Sequence, residues 1–130
     1  MKATVVWQDD LKFKGETDTG HTLELDGDGN IMTPMESVLL SVGACSSIDV
    51  VMIMKKARQD ITDCRCEMSA VRADDAPRVF KSIHAKYFVS GNDVSEKQLA
   101  RAVELSCEKY CSVMLMLAGN VEITTEFELV

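Results

Sequence analysis

The sequence predicts an α+β fold from three observations: strand-like alternation up to Asp26, two helical stretches each opened by a capping box, and renewed alternation between and after those helices. At 130 residues the chain suits one domain, 1–130, because a second hydrophobic core would be undersized at that length.

The elements follow in order. Lys2 to Gln8 places Ala3, Val5 and Trp7 on one face, Asp9-Asp10 marks a turn, and Leu11 to Glu16 is the partner strand. His21 to Asp26 alternates again and ends in Gly27-Asp28-Gly29-Asn30, residues that tolerate turn geometry. Thr33-Pro34-Met35-Glu36 supplies an N-cap threonine, a proline at the first helical position and a glutamate at the third, so a helix starts at Pro34. Its apolar residues, from Val38 through Val42 and Val50 to Ile53, cover more than one stripe and predict a largely buried helix. Lys55, Lys56 and Arg58 complement the negative end of its dipole.

From Asp63 to Arg72 the even positions Cys64, Cys66, Met68 and Ala70 are apolar between polar neighbours, the pattern of a half-buried strand. A turn through Arg72 to Pro77 leads to a companion strand from about Val79 to Ser90, and the two predict a hairpin. Ser95-Glu96-Lys97-Gln98 is a second capping box. Leu99, Ala102, Val103, Ser106, Cys107, Tyr110, Cys111, Met114 and Leu117 then predict one long helix ending near Gly119. Val121 to Leu129 alternates with glutamates and threonine as a final strand.

With 21 acidic against 14 basic residues the net charge is −7, which disfavours nucleic acid and anionic membrane partners. No apolar run long enough to span a bilayer is expected, and MKATVVWQDD has no secretory h-region, so the expected location is cytoplasmic. Five cysteines in such a setting point to reduced thiols. Cys64 and Cys66 share the apolar face of one strand, and His21 and His84 stand apart, so no metal site is expected. Gly27-Asp28-Gly29 lacks the downstream glycine and helix of a dinucleotide loop, and no cofactor is expected.

Chemistry is therefore sought at the thiols of the two helices. Gly43-Ala44-Cys45-Ser46-Ser47-Ile48-Asp49 keeps small and polar residues around Cys45. Asp49 lies four residues on, along the same helical face, and Ser46 or Ser47 can hydrogen-bond a thiolate or a bound oxygen atom. A helix break at Gly43 would add a fresh helix N-terminus near Cys45, which favours the thiolate. Cys107 and Cys111 stand on the second helical stretch. On the residues alone, Cys45 is either reactive or an inert packing thiol.

The order of elements resembles the OsmC/Ohr family over essentially the whole chain. Thr33-Pro34-Met35-Glu36 through Cys45 is similar to the segment leading to the family's peroxidatic cysteine, and Tyr110-Cys111-Ser112-Val113 to the segment of its second cysteine, without the proline. The resemblance implies antiparallel sheets wrapped around two central helices in an intertwined homodimer. It also implies a peroxidatic Cys45 and a resolving Cys111 that form a disulfide during reduction of an organic hydroperoxide, reset by an external dithiol. Ser46, Asp49 and Glu36 are the candidate binding residues, and Cys107, one turn before Cys111, is read as a bystander beside the pair, with replacement of Cys111 as the partner the alternative. The chain departs from the family pattern in having no arginine before Arg58 and Met35 in place of a glutamate ten residues before Cys45; Lys12 and Lys14 are the cations the N-terminal strands offer instead. The alternative implied by those departures is a non-enzymatic protein that binds an apolar small molecule or senses redox stress in a dimer-interface pocket. A third reading makes all five thiols packing residues.

Overall fold

The structure, a computed structural model, describes residues 1–130. The elements are β1 (Ala3–Asp9), β2 (Lys12–Thr17), β3 (Thr22–Asp26), α1 (Pro34–Lys56), β4 (Asp60–Arg72), β5 (Phe80–Asn92), α2 (Glu96–Leu105), a π-helical turn (Ser106–Tyr110), α3 (Ser112–Leu117) and β6 (Glu122–Leu129). The chain has two compact units, Met1–Leu40 and Ser41–Val130, and the residues of α1 fall in both.

The first unit is an antiparallel meander in the order β1-β2-β3, with Trp7 opposite Phe13 and Phe13 opposite Leu25. Asp10 takes a positive φ of 45° at the first turn, where its carbonyl accepts a 2.8 Å hydrogen bond from the Trp7 indole. Asp26 is buried and closes the loop after β3 by accepting from the Asp28 and Asn30 N–H groups at 2.9 and 3.1 Å. The Asp28 N–H is the main reason its carboxyl sits below the usual range. Val5, Val6, Trp7 and Leu23 remain exposed, Trp7 by 63%, so this sheet presents apolar side chains on its surface. The predicted capping box closes α1: Thr33 N–H donates to Glu36 Oε1 at 3.1 Å, and Glu36 N–H donates to Thr33 Oγ1 at 3.2 Å.

In the second unit β4 and β5 form the predicted hairpin, with Cys66 opposite Tyr87 and Met68 opposite Ala85. The odd residues of β4 from Asp63 to Val71 face solvent and the even ones turn inward, as the alternation predicts. The expectation of purely antiparallel sheets is corrected, since β6 lies parallel to β5 with Ile83 beside Ile123 and Tyr87 beside Phe127. The helical segments between β5 and β6 carry the chain back along the sheet, so β6 must run in the same direction as β5. The core joins Val42, Val50 and Met54 of α1, Ile83, Ala85, Tyr87 and Val89 of β5, Leu99, Ala102 and Val103 of α2, and Cys111 with Met114.

Three further expectations are corrected. The buried residues of α1 are Val42, Gly43, Ser46, Val50 and Met54, essentially a narrow i, i+4 stripe, while Leu40, Ile48 and Met52 are about half exposed, so the helix is not largely buried in this chain. By length and composition α1 is also apolar enough to cross a membrane, because its serines and glycine interrupt the apolar run without adding charge. The second helix is broken: α2 passes into a π-helical turn, and Cys111 leaves helical geometry at φ −70°, ψ 105°.

Candidate functional site

The turn of α1 that carries Cys45 is set close to the sheet by its glycine. Gly43 does not break α1, so no fresh helix N-terminus lies at Cys45. Its role is close approach, since a Cβ there would overlap the side chain of Met68 on β4. Cys45, half-buried, lies near enough to Cys111 to help burial push that thiol up. Neither is in a disulfide.

Cys111 sits where the second helical stretch is interrupted. Its N–H donates to the Ser106 carbonyl at 2.8 Å, an i to i−5 bond of π-helical register. Its sulfur then caps α3 by accepting from Met114 N–H at 3.4 Å. Cys111 is fully buried, and burial pushes its thiol up to about 11 although the Met114 N–H acts in the opposite direction. At neutral pH it is therefore a protonated thiol beside Cys45.

The polar residues around Cys45 are each engaged elsewhere. Ser46 is buried and turned to the core, where its hydroxyl donates to Val42 O at 2.8 Å and accepts from Tyr87 OH at 2.6 Å. It is thus not directed at the Cys45 sulfur, which corrects the reading of Ser46 as a thiolate partner. Burial pushes the Cys66 thiol up to about 11. The Asp49 carboxylate accepts from Ser106 Oγ at 3.1 Å. Glu36 holds Thr33, and chiefly that Thr33 N–H keeps its carboxyl below the usual range. Cys107, half-buried in the π-helical turn, is pushed up by burial first and Glu108 second.

A groove of about 310 Å³ opens beside Asp49, lined by Met52, Ile53, Lys56, Leu105 and Tyr110. No three His, Cys, Asp or Glu side chains converge closely enough to hold a metal ion. His84 does not stand alone: on the outer face of the sheet it meets Thr124 at 2.7 Å and Glu126 at 3.3 Å.

The structure thus brings Cys45 and Cys111 together and joins Asp49 to them through Ser106, while Ser46 reaches the sheet through Tyr87. Sequence reasoning missed Ser106 and Tyr87. The sequence carried no signal for them, because Cys107 and Tyr110 continue the i+3, i+4 spacing, and the i+5 step from Ser106 to Cys111 shows only in which residues are buried. Chemically, the pair offers one partly accessible sulfur able to attack an electrophile and one buried thiol able to close a disulfide on it.

The sequence model of the OsmC-like protein family matches residues 27–126. Protein YhfA of Escherichia coli (strain K12) is 46% identical, over 100% of this chain and 98% of that protein. Among solved structures, a hypothetical protein from Aquifex aeolicus VF5 is 31% identical with a TM-score of 0.91, covering 99% of this chain and 95% of that one. An OsmC like protein from Mycoplasma pneumoniae reaches a TM-score of 0.85 at 15% identity, covering 99% of this chain and 96% of that one. An organic hydroperoxide resistance protein from Elizabethkingia anophelis reaches 0.76 at 14% identity, covering 98% and 94%. The last two likenesses speak to the fold alone.

Proposed function

The chain belongs to the family of OsmC-like proteins, and from that premise we propose that it reduces organic hydroperoxides through Cys45 and Cys111. The observation that carries this reading is the closeness of the two thiols, with Ser106 tied by its hydroxyl to the residue after Cys45 and by its carbonyl to the Cys111 N–H. The Cys45 thiolate attacks the terminal oxygen of the O–O bond. The alkoxide leaves and takes a proton as an alcohol, and Cys45 becomes a sulfenic acid. The sulfur of Cys111 then attacks Cys45, hydroxide leaves as water with the Cys111 proton, and a disulfide forms. An external dithiol exchanges with that disulfide and returns both thiols. Organic hydroperoxide resistance proteins are among the chains that share this fold.

The apolar residues exposed on β1, β2 and α1, among them Val5, Trp7, Leu40 and Ile48, support a homodimer as the working form. Five cysteines, an odd number that no full set of internal disulfides can use, suit a cytoplasmic setting. Asp49 lines the apolar groove in which a hydroperoxide chain would lie, and Glu36 acts on α1 as its cap.

Reduced protein treated anaerobically with one equivalent of cumene hydroperoxide, then mapped by non-reducing peptide mass spectrometry, tests the reading. A fast Cys45–Cys111 bond is expected. Oxidation no faster than that of a free thiol at the same pH overturns it. A second reading, binding of an apolar molecule in the groove without turnover, is favoured by the absence of arginine before Arg58. In that case calorimetry detects an apolar ligand while C45S leaves its affinity unchanged.

A further inference from the structure

We propose that Ser106 is a positioning residue that holds Cys111 against Cys45, so that disulfide closure depends on its hydroxyl. The inference rests on the Cys45–Cys111 pairing and goes beyond it by naming the residue that sets the pairing geometry. Ser106 is fully buried, and a buried hydroxyl is costly unless bonded. Its Oγ lies 3.1 Å from the Ser46 carbonyl and 3.1 Å from Asp49 Oδ2, so its single proton is shared between two acceptors on α1. Its carbonyl meanwhile accepts the Cys111 N–H at 2.8 Å. One residue therefore grips α1 immediately after Cys45 with its side chain and grips Cys111 with its backbone.

The π-helical register gives this grip its effect. In an α-helix Cys111 N–H would bond the Cys107 carbonyl, and Cys111 would be rotated by about 100° relative to Ser106 from its present position. The added residue instead places Cys111 on the buried face that Ser106 occupies, toward α1. Two sulfurs held in register close a disulfide as an effectively intramolecular step, and that advantage falls when one of them is free to drift. The first step, attack by Cys45, does not involve Ser106.

The test uses full-length protein equilibrated in mixtures of reduced and oxidised dithiothreitol, with the Cys45–Cys111 bond quantified by mass spectrometry. Ser106→Ala is expected to lower the equilibrium constant for that disulfide about tenfold, the effect of losing one buried hydrogen bond to a charged group. With hydroperoxide, the variant is expected to form the Cys45 sulfenic acid at the wild-type rate while dimedone traps more of it, because closure is slower. Asp49→Ala, at a half-buried position, is expected to act in the same direction and to add little to Ser106→Ala. Wild-type equilibrium in both variants overturns the proposal, and if Ser106→Ala does not fold, wild-type equilibrium in Asp49→Ala alone does so. A wild-type protein that forms the bond in dithiothreitol buffers but not with hydroperoxide overturns the peroxidase reading and leaves the Ser106 comparison intact.

Discussion

A Cβ atom on Gly43 would overlap the sulfur of Met68, so α1 meets β4 at a separation that only glycine permits without displacement. Gly43→Ala gains about 1 kcal/mol of helix propensity but must push a packed side chain, which costs about 1–3 kcal/mol. The thioether is flexible and keeps the cost near the lower end, so the two effects nearly cancel and a net change near zero is expected by urea denaturation. In a Met68→Ala background the same change should become stabilising, by about 1 kcal/mol. A double-mutant cycle with no coupling between positions 43 and 68 contradicts this account.

Tyr87 and Ser46 form an asymmetric pair. Tyr87→Phe removes the donor, and Ser46 keeps its bond to the Val42 carbonyl, so a loss of about 0.5–1.5 kcal/mol is expected. Ser46→Ala strands the buried Tyr87 hydroxyl and should cost about 1–3 kcal/mol. Thermal unfolding of both variants decides it, and the idea fails if Tyr87→Phe is the more damaging.

Most of the fold was legible because amphipathic alternation and capping boxes are local. Thr33 and Glu36 made the reciprocal bonds their spacing predicts, and the even residues Cys64 to Ala70 turned inward. The direction of β6 was not legible, since alternation in Glu122–Leu129 is the same for parallel and antiparallel neighbours. At the site, Cys45 and Cys111 were found through the resemblance of their segments. Their supporting contacts were hidden because Ser106 and Tyr87 look like ordinary helix and strand residues until residues distant in sequence, Ser46 and Asp49, are brought to them. Gly43 was read as a possible break, whereas the break falls at Cys111, where no glycine or proline marks it.

Alkaline pH should destabilise the protein through its buried thiols. Cys111 and Cys66 have ordinary thiol values near 9.0 when exposed and are pushed up to about 11 here, chiefly by burial. A raised folded value means that the folded state holds the proton more tightly. The associated stability is fully present below the unfolded value and is lost as pH rises from there through the folded one. Between pH 9 and 11 each such group should lower the unfolding free energy by about 1.4 kcal/mol per pH unit. Cys111→Ala should flatten that slope by about one proton, as measured by urea midpoints across the range. A slope unchanged in Cys111→Ala rules out this origin.

The capping box separates a structural from a chemical role for Glu36. Thr33→Ala removes the acceptor for the Glu36 N–H and should cost about 1 kcal/mol. Glu36→Gln keeps an acceptor for the Thr33 N–H, as glutamine does in such boxes, and at neutral pH should leave stability nearly unchanged. The charge matters in acid: the Glu36 carboxyl is held below its ordinary 4.5, mainly by the Thr33 N–H. Its contribution is therefore present above that value and lost as pH falls through the lowered one, a loss Glu36→Gln should remove from the acid limb. The same variant should leave the rate of Cys45 oxidation by hydroperoxide unchanged. Slower oxidation with unchanged stability places Glu36 in the chemistry of Cys45 instead of in the cap alone.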